Sequence, residues 1–185
     1  MKNRTILITG PSGVGKTTLV NLLLQSNPKV ERLVTFTTRA PRPKEKDIID
    51  FHFISQDTFD NMVKQNDFFE HDSHYEASYG NSKEELQGIW DKGKVALLVL
   101  NTDGVNTIKE IYPEAVSIFI KPDTLENLKA RMLKRPMSEE AFNKRWGTVQ
   151  AELEESNKYD HTIINNQGEL ETALKQLEDI IKLQN

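Results

Sequence analysis

The chain has 185 residues, no cysteine and a formal net charge of −4. That length supports one domain around one main core, with no disulfide or thiolate-held metal to staple it. The acidic balance argues against a nucleic-acid-coating surface, and no apolar run reaches membrane-spanning length.

The first expected element is Thr5-Ile6-Leu7-Ile8-Thr9, a short apolar, β-branched run that reads as a buried strand. Met1-Lys2-Asn3-Arg4 leads straight into it, leaving no room for a signal peptide, so the expectation is a cytoplasmic protein with no membrane partner. Next comes Gly10-Pro11-Ser12-Gly13-Val14-Gly15-Lys16-Thr17, which fits the pattern G-x-x-x-x-G-K-[ST]. Glycines at 10, 13 and 15 let successive backbone N–H groups curl around a phosphate without Cβ interference. Lys16 supplies a mobile cation and Thr17 a hydroxyl for Mg²⁺; Ser12, Val14 and Thr18 complete the expected phosphate-binding set. Apolar residues at 19, 22, 23 and 24 mark a helix near 16–26, whose N-terminal dipole favours an anion. A glycine turn matching by accident is the alternative, and the strand before and helix after argue against it.

Beyond this point the pattern predicts a β-rich stretch near 32–54, a helix near 56–65, a short strand near 67–71 and a helix near 82–92. Val95-Ala96-Leu97-Leu98-Val99-Leu100 is continuously apolar, as in a parallel strand covered on both faces, and it ends in a polar turn. Residues 115–120 form another such strand, followed by helices near 123–134 and 138–157, a strand at 161–165 and a last helix near 169–183. Alternating strands and helices predict an α/β fold with a doubly wound parallel sheet. The segment 32–92 is longer than a crossover needs. It is expected to be a small insertion over the phosphate loop, with 131–157 as a second cover or lid. Segments 1–31, 93–130 and 158–185 then make the core of one domain.

Two basic clusters stand out in the covers. Pro41 and Pro43 push Ala40 and Arg42 toward extended geometry, so Arg39 and Arg42, three residues apart, project from one side of a polyproline-like stretch. With the hydroxyls of Thr35, Thr37 and Thr38 they form a fork for a phosphate, or else a stiff surface turn with solvated arginines. The second cluster holds Arg131, Lys134, Arg135, Lys144 and Arg145. Arg131 and Arg135 share a helix face, suited either to closing over a transferring phosphoryl group or to plain solvation. His71-Asp72-Ser73-His74 gives no reason to expect a metal site, because nothing fixes both histidines on one face.

The order of phosphate loop, Thr37-Thr38-Arg39-Ala40-Pro41-Arg42, Glu70, Tyr79-Gly80, arginine-bearing lid and a late Asn165 resembles the guanylate kinase family, over nearly the whole chain. The resemblance implies a P-loop NTPase fold in which a nucleotide-monophosphate-binding insertion and a lid close over the core. It implies transfer of the γ-phosphate of ATP, with Mg²⁺, to GMP or dGMP. Lys16 and Thr17 would hold ATP phosphates and the metal; Arg131, Arg135 and Arg145 would be lid arginines, and Asn165 would contact adenine. Thr35, Arg39, Arg42 and Tyr79 match acceptor-phosphate positions, and Glu70 matches the carboxylate that reads guanine. Phe51 stands where the family has a tyrosine, and Asn81 where it has a serine touching the base. The strand that ends Asp-x-Asp-x-Gln-Gly in the family ends here in Val99-Leu100-Asn101-Thr102-Asp103-Gly104, which removes both aspartates. Asn81 and Asn101 therefore leave open an alternative: a related kinase acting on another phosphorylated acceptor. A non-catalytic interaction module of the same fold is a third reading, opposed by the intact Lys16-Thr17 pair. The oligomeric state, monomer or homodimer, is not legible here.

Overall fold

The computed structural model describes residues 4–43, 45–74, 77–134 and 138–183. In chain order the elements are β1 (Thr5–Thr9), α1 (Lys16–Ser26), β2 (Val30–Arg32), β3 (Phe36–Thr37), β4 (His52–Phe53) and α2 (Gln56–Lys64). Then follow β5 (Phe68–His74), β6 (Ala77–Ser82), α3 (Lys83–Asp91), β7 (Val95–Val99), α4 (Thr102–Ile111) and β8 (Val116–Pro122). The chain closes with α5 (Leu125–Leu133), α6 (Glu139–Glu154), a 3-10 turn at Glu155–Lys158, β9 (His161–Asn165) and α7 (Leu170–Leu183).

The main sheet has strand order β2-β7-β1-β8-β9, parallel at every pairing. Its strands are short, rich in Ile, Leu and Val, and lie between two apolar layers, which is why β1 is buried along its whole length. One layer joins Ile6, Ile8, Leu19, Leu23 and Leu97 to Leu177 and Ile181 of α7. The other joins Leu7, Ala96 and Leu98 to Leu86 and Ile89 of α3 and to Val105 and Ile108 of α4. Each fully buried leucine or isoleucine adds roughly 1.5–3 kcal/mol to the drive for folding. The expected doubly wound parallel sheet is therefore present, with the glycine loop emerging from the carboxyl end of its central strand.

A second sheet, β4-β3-β6-β5, is mixed: β3 pairs parallel with β4, whereas β6 runs antiparallel to both β3 and β5. It is built from residues of the 32–92 segment and carries Arg39, Glu70 and Tyr79 on or beside its strands. Two elements were absent from the sequence expectation. β6 (Ala-Ser-Tyr-Gly-Asn-Ser) has no apolar alternation, and its Gly80 lies beneath the Phe68 ring, where a Cβ would come within 3.0 Å of the ring atoms. α4 is short and contains Gly104, Asn106 and Thr107, poor helix formers that hid it. Its signal is the N-cap Asn101, with Val105 and Ile108 one turn apart on the buried side.

The link between β3 and β4 holds a strained residue. Ile48 has φ +67°, a left-handed conformation that a β-branched side chain disfavours. It is kept there because its N–H donates to Phe51 O (2.9 Å), while Asp50 N and Ile49 N both reach Lys46 O. The side chain itself is 66% exposed and contributes no core packing. Ile48→Gly is therefore expected to stabilise the protein by about 0.5–1 kcal/mol, the strain released exceeding the added chain entropy. A thermal melt checks this: the variant should melt about 2 °C higher, and a lower melting temperature would refute strain at this position.

Among the described residues no helix is long and apolar enough to cross a membrane.

Candidate active site

The loop between β1 and α1 is shaped to receive an anion. Helices α2, α3, α4, α5 and α6 each begin with a side-chain cap, from Ser55, Ser82, Asn101, Thr124 and Ser138. α1 does not: its N-cap is Gly15, with φ +104°, and no side chain accepts its first N–H groups. Those donors and the positive end of the helix dipole are what a phosphate requires. Gly10 also cannot be replaced, since at φ +135° a Cβ would lie 2.3 Å from Ile120 O of the neighbouring strand. Lys16 Nζ folds back over the loop and donates to the carbonyls of Gly10 and Pro11. Thr17 and Thr18 open α1 on its exposed side.

The loop is braced from below by Asn165, at the end of β9. The resemblance implies that Asn165 contacts adenine; in the structure its side chain holds the loop itself. The residue is only 5% exposed, and its Nδ2 donates to Val14 O at 2.7 Å. It also fills the space beside Gly15, where a Cβ would meet its Nδ2 at 2.4 Å. Its own carbonyl accepts from both terminal nitrogens of Arg131 at 3.4 Å. Arg131 thus projects from α5 toward the loop, with Asp123 Oδ1 4.0 Å away. Arg135 lies outside the described residues; α5 itself ends at Leu133. Arg145, on α6, reaches the loop directly, its Nη1 3.5 Å from Ser12 Oγ.

The other basic cluster lies beside the second sheet. Arg39 is held by Glu45 through both terminal nitrogens, Nη1 to Oε2 at 2.9 Å and Nη2 to Oε1 at 3.2 Å, and Nη1 also donates to Ala40 O. Its guanidinium lies over the Phe51 and Phe53 rings, 5.2 and 5.7 Å from their centroids. Phe51 and Tyr79 meet edge to face at 6.3 Å. The same Glu45 accepts the backbone N–H of Arg42 at 2.7 Å. Arg42 itself is exposed. Partial desolvation of its guanidinium and the like charges of Arg39 and Arg145 lower its proton affinity, with Glu45 opposing them.

Deeper in the insertion a relay fixes a carboxylate. Thr35 Oγ1 donates to Asn81 Oδ1 at 2.9 Å, and Asn81 Nδ2 donates to Glu70 Oε2 at 2.8 Å. Asn81 is 1% exposed and directly opposite Glu70 in the β5–β6 ladder, so its amide is locked in one orientation. Asn101 does not join this relay: its Oδ1 caps α4 through Gly104 N at 2.8 Å. Nor do Val99 and Asn101 supply a carboxylate at the end of β7. Among the described residues no three His, Cys, Asp or Glu side chains group as a metal site. The Thr17 hydroxyl nevertheless fits a Mg²⁺ that arrives with a nucleotide, because that ion keeps waters and phosphate oxygens as most of its ligands.

Sequence reasoning missed two residues of this region. Glu45 is the first acid after two arginines in a basic stretch, a faint signal. Arg32, whose Nη2 donates to Asp50 O at 3.1 Å and ties the main sheet to the insertion loop, gave none.

The comparisons with known proteins agree with this geometry. The guanylate kinase family model matches residues 2–184. The chain is 36% identical to the guanylate kinase of Rickettsia bellii over 97% of its own length and 94% of the relative's. It is 35% identical to that of Prochlorococcus marinus subsp. pastoris, over 98% of its own length and 100% of the relative's. Among solved structures, the guanylate kinase of Anaplasma phagocytophilum superposes with a TM-score of 0.78 at 26% identity, covering 97% of this chain and 85% of that one. A chain with this loop and with relatives matched from end to end belongs to the guanylate kinase family.

Proposed function

We propose that the protein transfers the γ-phosphoryl group of ATP to GMP or dGMP, giving ADP and the nucleoside diphosphate. The observation that carries this is the uncapped N-terminus of α1 beneath the loop that holds Lys16, with Arg145 Nη1 3.5 Å from Ser12 Oγ. A helix N-terminus with no side-chain cap, flanked by a lysine and an arginine, suits a polyanion. Mg²⁺, held through Thr17 and the donor's phosphates, supplies charge neutralisation when bound.

Each of the chain's own groups has a task. The N–H groups of residues 13–17 and Lys16 cradle the donor phosphates, and Lys16 exchanges two loop carbonyls for phosphate oxygens. Asn165 and Arg131 keep the loop in that shape. Arg42, with Arg39 and Tyr79 behind it, fixes the acceptor phosphate in line with the donor. Glu70, held by Asn81 and Thr35, offers a carboxylate oxygen to adjacent N–H donors such as guanine N1–H and N2–H. Arg145 stabilises the charge that spreads over the transferring oxygens. No covalent intermediate and no strong general base is needed. In this reading segment 32–92 and the lid 131–157 are moving covers that keep water from the γ-phosphate. The reaction belongs to the cytoplasm, with nucleotides rather than nucleic acid or membrane as partners.

The test is ADP production from ATP and Mg²⁺ with GMP, dGMP, AMP, UMP and CMP. Turnover is expected with GMP and dGMP only. Arg42→Ala should raise the KM for GMP about 10–100-fold, the worth of one charge-assisted contact, with kcat much less affected. An unchanged KM would remove Arg42 from the acceptor site. A second reading, another monophosphate as acceptor, draws on the withdrawal of Asn101 to its helix cap, which leaves base recognition to Glu70 and Asn81. A larger kcat/KM for AMP, UMP or CMP than for GMP would select it.

A further inference from the structure

Between Arg39 and Arg42 sits a carboxylate that the sequence did not point to. Glu45 makes three charge-assisted contacts: two with the terminal nitrogens of Arg39 and one with the Arg42 N–H. The turn is closed in the other direction too, since Glu45 N donates to Arg42 O at 3.0 Å. Residues 42 and 45 are therefore joined twice, by backbone and by side chain, and Arg39 is clamped to the same point. Glu45 is half-buried, its side chain 19% exposed and that of Arg39 17%.

We propose that Glu45 is a positioning residue for the acceptor-phosphate site, holding Arg39 and the backbone of Arg42 in their binding geometry before the acceptor arrives. This rests on the reading of Arg39 and Arg42 as acceptor-phosphate ligands. The geometry carries it in three ways. A bidentate carboxylate fixes the plane of a guanidinium, and here that plane is also pressed over Phe51 and Phe53. The N–H of Arg42 is tied to the same oxygen as Nη1 of Arg39, so the spacing of the two arginines is set by one side chain. Finally, a negative charge bonded to both Arg39 and the Arg42 N–H offsets the repulsion between the two guanidiniums. Burial opposes ionisation of Glu45, yet the bonds from Arg39 and Arg42 outweigh it and hold its carboxyl below the usual range. The carboxylate thus stays charged through neutral pH.

The opposite role is a placeholder, an internal anion that the acceptor phosphate must evict. The double closure of the 42–45 turn argues against it, because eviction would break the backbone N–H contact as well as the ion pair. The two roles predict opposite signs. Steady-state kinetics with GMP and Mg²⁺-ATP should be measured for the wild type, Glu45→Gln, Glu45→Asp and Arg42→Ala, beside thermal melts. For Glu45→Gln the KM for GMP is expected to rise about tenfold, the loosening of a bond to a charged group. The KM for ATP and kcat should stay within about twofold, and Glu45→Asp, which keeps the charge, should recover part of the loss. An unchanged or lower KM for GMP in Glu45→Gln would overturn the proposal, the lower value identifying a placeholder. Equal rises in both KM values with a lowered melting temperature would also overturn it, showing a purely structural role. If Arg42→Ala leaves the KM for GMP unchanged, the acceptor-site reading itself fails and Glu45 falls with it.

Discussion

Lys16→Ala is expected to lower kcat for phosphoryl transfer by about 10²–10³-fold, the usual cost of removing one preorganised charge from the transferring oxygens. The fold should hardly notice. Lys16 is half-buried at the first position of α1, and its ammonium contacts loop carbonyls rather than the core. Alanine is the best helix former, so the change is not expected to weaken α1, and a shift within about 0.5 kcal/mol is the norm for such a position. The measurement is ADP release at saturating GMP, paired with a melt and with ATP binding by calorimetry. Lost turnover in a protein that still melts near the wild type places Lys16 at the transferring phosphate. Normal turnover would mean that the N–H groups of α1 and Arg145 suffice, and the mechanism above would fail.

That prediction was within reach of the sequence because the phosphate loop is a local device. The strand, the glycines at positive φ and the start of α1 are contiguous, so their spacing alone reports the geometry. The parallel strands β1, β7 and β8 were equally legible, being apolar on both faces. The insertion was less so. β6 is buried by partners that come from β3, β5 and Phe68, and its own residues are small and polar, so no periodicity announces it. The same holds for the site's supports. The resemblance implies that Asn165 contacts adenine, and only the fold shows that its Nδ2 is held by Val14 O. Asn101 likewise stands beside the expected base site in sequence, and only the fold shows that its Oδ1 caps α4. Side-chain polarity marks a residue as available for hydrogen bonding; only tertiary packing decides whether the partner is a ligand or the protein. Glu45 is the converse case, a residue with no motif whose contacts make it central to the acceptor loop.

Glu70 carries the second large effect. Its Oε2 accepts from Asn81 Nδ2, and the acceptor-only carboxylate fixes that amide so that Asn81 Oδ1 accepts from Thr35. In Glu70→Gln, with Asn81 in its present orientation, the side-chain oxygen keeps the bond to Asn81, since two NH₂ groups cannot pair. The new amide NH₂ then faces the base. Guanine presents N1–H and N2–H there, donor against donor, whereas adenine presents an acceptor at N1. GMP should therefore lose about 10²-fold in kcat/KM, the worth of a bidentate base contact turned from matched to mismatched, while AMP is unaffected or improves. The quantity to measure is the ratio of kcat/KM for GMP over AMP, which cancels any general loss of activity. A ratio that collapses by two orders of magnitude assigns base reading to Glu70 and explains how the chain dispenses with carboxylates at Val99 and Asn101. A ratio unchanged from the wild type would show that the relay from Thr35 to Glu70 only braces β5 against β6, and that the base is read elsewhere.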